Sequence, residues 1–77
     1  MARNTKTLDP RIKLISNRLK ELRISAGYSS AESFAYDKEQ NRVQYWRIES
    51  GANITLDTLL KILKIHNITL SDFFNSI

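Results

Sequence analysis

Asn41-Arg42-Val43-Gln44-Tyr45-Trp46-Arg47-Ile48-Glu49-Ser50-Gly51 is the stretch on which the fold turns. Its start is marked by side chains: Asn41 can accept from N–H groups that a first helical turn leaves without partners, and Gln44 completes a capping box. Gly51 supplies the left-handed residue that commonly closes a helix. Between these signals, a 100° wheel puts Tyr45 and Ile48 on one side and Val43, Arg47 and Ser50 on the other. One helix is therefore expected, apolar toward the interior and cationic outward, with Arg42 and Gln44 on its first turn and Trp46 on its flank.

Working outward, the same grammar recurs upstream in Ser29 and Glu32, which predicts a shorter helix from Ser30 to about Lys38 with Phe34 and Ala35 inward. Before it, Asp9 can cap a helix whose first residue is Pro10. Ile12, Ile15, Leu19, Leu22 and Ala26 then follow at helical spacing as one stripe, ending at Gly27. Downstream, Thr55 opens a fourth helix carrying Leu56, Leu59, Leu60 and Leu63, with Asp57 near its positive end. His66 reads there as a C-terminal cap or a surface residue. Thr69 and Asp72 open a last helix with Leu70, Phe73, Phe74 and Ile77. No strand pattern, repeat or linker interrupts the sequence, so the expected fold is all-α, with five short helices around one core. Residues 1–8 lack periodicity and read as a flexible basic arm, which leaves 9–77 as a single domain.

A chain of 77 residues and 8.9 kDa should bury about 63% of its unfolded surface, enough for one core but with little room for an enclosed substrate cavity. It has no cysteine and one histidine, which excludes a disulfide framework, thiolate metal sites and a histidine cluster. Apolar runs are too short for a membrane span or a secretory leader. A soluble, cytoplasmic protein without metal or cofactor is the expectation. The net charge of +4 suits a polyanionic partner. Its distribution is sharper: residues 1–47 carry ten basic and five acidic side chains, residues 48–77 two and three.

Phe34-Ala35, a short turn, the stretch Asn41 to Gly51, then Leu56…Leu59…Ile62 and Leu70…Phe73-Phe74 together resemble the phage repressor and Cro (XRE-type) family of helix-turn-helix proteins. The likeness covers roughly residues 12–74. It is most specific in Ile48-Glu49-Ser50-Gly51 and in Leu22-Arg23. The resemblance implies a lambda-repressor-like five-helix domain that binds operator double-stranded DNA, mostly as a homodimer, with its third helix in the major groove. It also implies an ion pair between Arg23 and Glu49 joining the first helix to the third. Glu39 stands where the family usually has Gly, and Gln40 where an apolar residue is usual. Gly27 to Phe34 is one residue longer than the family spacing, and the Gln common at the start of the second helix matches Ser30 or Ala31. A non-glycine residue held left-handed at such a turn costs about 1–2 kcal/mol.

The outward and leading residues of the third helix are the candidates for base contact: Arg42, Val43, Gln44 and Arg47. Arg can fork onto guanine O6 and N7, Gln can pair with adenine, and Val can touch a thymine methyl. Gln44 could equally complete the cap on Asn41, and Arg42 could hold a phosphate. Ser29, Ser30 and Asn41 at helix starts, the indole of Trp46 and the ammonium of Lys20 are candidate phosphate contacts. Trp46 could instead close the edge of the core. Arg11, Lys13 and Arg18 read as a solvated helix face, to which Lys20 could equally belong, and Arg3 and Lys6 on the arm as sources of general affinity.

Phe73 and Phe74 point about 100° apart, so both cannot face one core. With Ile77 they are candidates for a dimer surface, the alternative being that both pack partly against Leu56 and Leu60 in the monomer. No catalytic grouping or phosphate-cradling loop stands out, so no enzyme and no small-molecule ligand is expected. The expected function is a sequence-specific DNA-binding transcription regulator, a repressor on a palindromic operator. The alternative is an antitoxin-like protein-binding module that autoregulates through the same fold.

Overall fold

Each helix starts where a short polar side chain can take up its first N–H groups. The computed structural model describes residues 8–77, in which five helices follow in order: α1 Arg11–Ser25, α2 Ala31–Asp37, α3 Arg42–Glu49, α4 Leu56–His66 and α5 Leu70–Asn75. No strand occurs among the described residues. Arg3, Lys6 and the rest of the expected arm before Leu8 lie outside them. Asp9 Oδ1 accepts the Arg11 N–H at 2.9 Å, and Pro10 is already helical. Asn41 accepts from Gln44 at 2.8 Å, Thr55 from Thr58 at 3.2 Å and Thr69 from Asp72 at 3.0 Å. In α2 the cap is one residue later than expected. Ser30, with the extended backbone a cap requires, accepts from Ser33 at 3.0 Å, and the Ser33 hydroxyl donates back to the Ser30 carbonyl. Ser33, not Glu32, thus holds the third position.

Four helix ends share one closure. The N–H groups of Tyr28, Gln40, Ala52 and Ile68 donate back to the carbonyls of Arg23, Ala35, Arg47 and Leu63 at 2.7–3.2 Å. In each case the preceding residue is left-handed: Gly27, Glu39, Gly51 and Asn67. Three of these fit their residue, because Gly has no Cβ and Asn tolerates the region. Glu39, at φ 58°, bears the strain of the turn between α2 and α3.

The core consists of Leu19 from α1, Phe34 and Ala35 from α2, Tyr45 and Ile48 from α3, Leu59, Ile62 and Leu63 from α4, and Phe73 from α5. Phe34 is its centre: Tyr28 meets it edge-on at 5.3 Å, Tyr45 lies tilted at 4.9 Å, and His66 stacks on it at 5.2 Å and 6°. α3 packs on α2 and α1, and α5 on α4.

Several expectations about facing are corrected here. On α1, Ile12, Ile15 and Leu22 are only half-buried and Ala26 is exposed, whereas Ser16 and Arg23 are buried. Ala26 lies past the last packed turn, and the Ser16 hydroxyl donates to the Ile12 carbonyl at 3.3 Å, which removes most of the penalty of burying it. On α4, Leu56 and Leu60 are exposed, because a helix apolar around most of its circumference can bury only the side its neighbours cover. On α5 the two phenylalanines part as the wheel demands: Phe73 is 0% exposed and Phe74 45%. Phe73 is therefore a core residue and not part of any dimer surface. No described helix is long and apolar enough to cross a membrane.

Candidate functional site

The sequence places α3 by fixing its C-terminal half. Arg23, on the last turn of α1, forks onto the Glu49 carboxylate through Nε at 3.1 Å and Nη2 at 2.9 Å, and its Nη1 donates to the Tyr28 carbonyl at 2.9 Å. Both side chains are almost fully buried, at 5% and 7% exposure. The hydrogen bonds to Glu49 raise the pKa of the Arg23 guanidinium above its ordinary value. The phenol of Tyr45 is buried beside it, and burial first, then the Glu49 carboxylate, raise its pKa well above the usual tyrosine value. Lys13 adds a contact from α1, donating to the Ser50 carbonyl just past the end of α3 at 3.4 Å. The sequence had suggested only a solvated Lys13.

α3 projects between two grooves. One, of about 670 Å³, has Lys20 from α1, Ser30, Ala31 and Glu32 from the start of α2, and Arg42, Val43, Trp46 and Ser50 along α3. The other, of about 400 Å³, has Asn41, Val43, Gln44 and Arg47 on one wall and Asn53, Ile54, Thr55 and Thr58 on the other. Val43 lines both and forms the ridge between them. Trp46 has its ring in the first groove and is 58% exposed, so it does not close the core edge. Neither Arg42 nor Arg47 enters an ion pair among the described residues, whereas Arg11 and Arg18 do, with Asp9 and Glu21.

The candidate base-contact residues Arg42, Val43, Gln44 and Arg47 are thus brought together on one exposed surface. Of the candidate phosphate contacts, Lys20, Ser30 and Trp46 line the first groove and Asn41 the second. Ser29 lines neither; the shift of the α2 cap by one residue carries it away. Gln44 gives its backbone N–H, not its side chain, to the Asn41 cap. Ala31, Glu32, Asn53, Thr55 and Thr58 also line the grooves without having been singled out. Placing the α2 cap at Ser30 would have found the first two, since first-turn residues flank whatever meets a helix start.

Two further clusters lie away from this surface. Tyr28 donates to the Asp37 carboxylate with Lys38 over its ring at 5.9 Å, and that hydrogen bond raises the phenol's pKa. His66 is neither cap nor simple surface residue. Its ring is stacked on Phe34 and its buried Nε2 has no hydrogen-bond partner. Burial, reinforced by Lys38, lowers its pKa against a smaller opposing pull from Glu49. No group of three or more acidic or histidine side chains that could hold a metal ion occurs among the described residues. No protein-family model, curated protein or solved structure matches the chain.

Proposed function

We propose that the chain is a sequence-specific DNA-binding transcription regulator of the lambda-repressor-like helix-turn-helix class, a repressor that occupies a palindromic operator as a homodimer. The observation that carries this reading is the outward face of α3, where Arg42, Val43, Gln44 and Arg47 stand exposed together while Tyr45, Ile48 and Glu49 anchor the opposite side. A helix held this way can enter a major groove, which admits a helix and displays a distinct donor and acceptor pattern for each base pair. Arg47 and Arg42 read base edges. Lys20, Ser30, Asn41 and Trp46 at the groove walls hold the sugar-phosphate backbone and set the register. In the dimer, Phe74 and Ile77, both 45% exposed at the end of the domain, pack against their copies.

Selection from random duplexes, followed by a salt series on the enriched duplex and a scrambled one, tests the reading. With about four phosphate contacts per protomer, log K should fall against log salt with a slope near −7. Lys20→Ala should weaken both duplexes alike and make the slope shallower by about 1 per protomer. Absence of enrichment, or Arg47→Ala and Arg42→Ala weakening both duplexes equally, overturns it. Sedimentation equilibrium tests the assembly: Phe74→Glu should yield a folded monomer and Phe73→Glu an unfolded chain, whereas a monomeric parent at micromolar concentration removes the dimer.

A further inference from the structure

Val43 is 68% exposed and Trp46 58%, three residues apart on α3 and therefore on neighbouring positions of one face. Neither placement is explained by folding. A β-branched residue on an exposed helical surface is less favourable than Ala and gains nothing from the core. The two side chains line one groove with Ala31, so the apolar surface continues across to the first turn of α2. Around it stand Lys20, Arg42 and Arg47, none in an ion pair among the described residues. An apolar protein surface docked here would strip water from those cations without compensation. A polyanion satisfies them, and on the base edges of a major groove the apolar feature is the C5-methyl of thymine.

We infer that Val43 and Trp46 form a single methyl-reading step, and that each half-site bears a thymine whose C5-methyl is buried between them. This rests on the DNA-binding reading above and adds to it an apolar specificity element beside the arginines. Val43, as the ridge between both grooves, supplies the contact. Trp46, while its indole N–H holds the backbone, closes with its ring face the side away from Arg47 and excludes water from the methyl, so both side chains are needed for the full effect.

Replacing thymine by uracil removes that methyl and leaves the hydrogen-bonding pattern intact. On the duplex enriched by selection, a uracil scan should find one thymine per half-site whose replacement weakens binding about threefold to fourfold, the value of one buried methyl. In Val43→Ala and in Trp46→Ala the penalty at that position should fall below about twofold. Thermal melts matching the parent establish that both variants, altered at exposed positions, are folded. A flat scan, with Arg47→Ala still relaxing base preference, overturns the methyl step and leaves the DNA-binding reading standing. An undiminished penalty in both variants assigns the methyl to another residue and likewise overturns it. If selection enriches no duplex, both fall together.

Discussion

The C-terminal half of α3 is locked by the Arg23 fork on Glu49, the closure through Gly51 and the Lys13 ammonium on Ser50, whereas the N-terminal half rests on the Asn41 cap and a turn strained at Glu39. In the first half Ile48 and Glu49 turn inward while Trp46 and Arg47 face out; in the second Tyr45 turns inward while Arg42, Val43 and Gln44 are exposed. The difference teaches how a domain this small can aim a helix without covering it. Eight residues are too few to be stable alone, so their direction comes from packing at one end. The opposite face then stays exposed along the helix at no cost to the core.

Cutting the anchor should have the largest effect. Arg23→Ala and Glu49→Ala should each lower stability by about 3–5 kcal/mol, because each strands a buried charge. Urea denaturation of the singles and the double variant should show a coupling well above 0.5 kcal/mol; additive losses would mean the two halves of α3 are held alike. Next comes the exposed face, which runs past the anchor to Arg47. Arg47→Ala should weaken binding to a selected duplex by about 1–3 kcal/mol and relax one base position per half-site. Its unfolding free energy should stay within about 0.5 kcal/mol of the parent, as expected of an exposed site. A comparable loss of stability would break the division between anchor and reading surface.

Relieving the turn sharpens the comparison from the other side. Glu39→Gly should raise stability by about 0.5–1 kcal/mol, the left-handed strain removed being partly offset by the greater freedom of glycine in the unfolded chain. A loss on chemical denaturation would show that the Glu39 side chain compensates its backbone. The smallest effect concerns His66, which feels Glu49 from behind the anchor. Its proton affinity is lower in the folded chain than the ordinary value of 6.5, so the unfolded chain takes up the proton first. Stability should be level above that pH and decline as pH falls through it. As the sole histidine, His66→Gln should flatten the profile between about pH 7.5 and 5.5; a variant with the parent's slope would place the effect elsewhere.

Helix starts were legible wherever one polar residue could serve, as at Asn41, Thr55 and Thr69, because capping is a local exchange between a side chain and the N–H groups just beyond it. Ser29-Ser30 offered two registers, and the backbone chose the second. Helix ends were legible at Gly27 and Gly51, but the equivalent closures at Glu39 and Asn67 carry no glycine to mark them. Facing was read correctly in α2 and α3, whose apolar residues are few. It misled in α4, where Leu56 and Leu60 are as apolar as the buried Leu59 and Leu63 and only tertiary packing separates them. Of the candidate site, the exposed face of α3 followed from helical geometry. The grooves beside it did not: Ala31 and Glu32 follow only once the cap is set at Ser30, and Asn53 and Thr58 reach them only through the relative placement of α3 and α4.

Trp46, the single tryptophan, is more than half exposed on the surface of α3 rather than in the core. The intrinsic emission of this protein is therefore a report from that surface. Native emission should already sit toward the red, and unfolding should move it little, because the indole is largely hydrated before denaturation begins. A duplex covering the ring should quench and shift it, and a soluble quencher should strongly quench the free protein without moving its maximum. Under the proposed DNA binding, the usual optical signal for unfolding becomes in this chain a gauge of occupancy, and the tyrosine bands of buried Tyr45 are the ones that follow the fold.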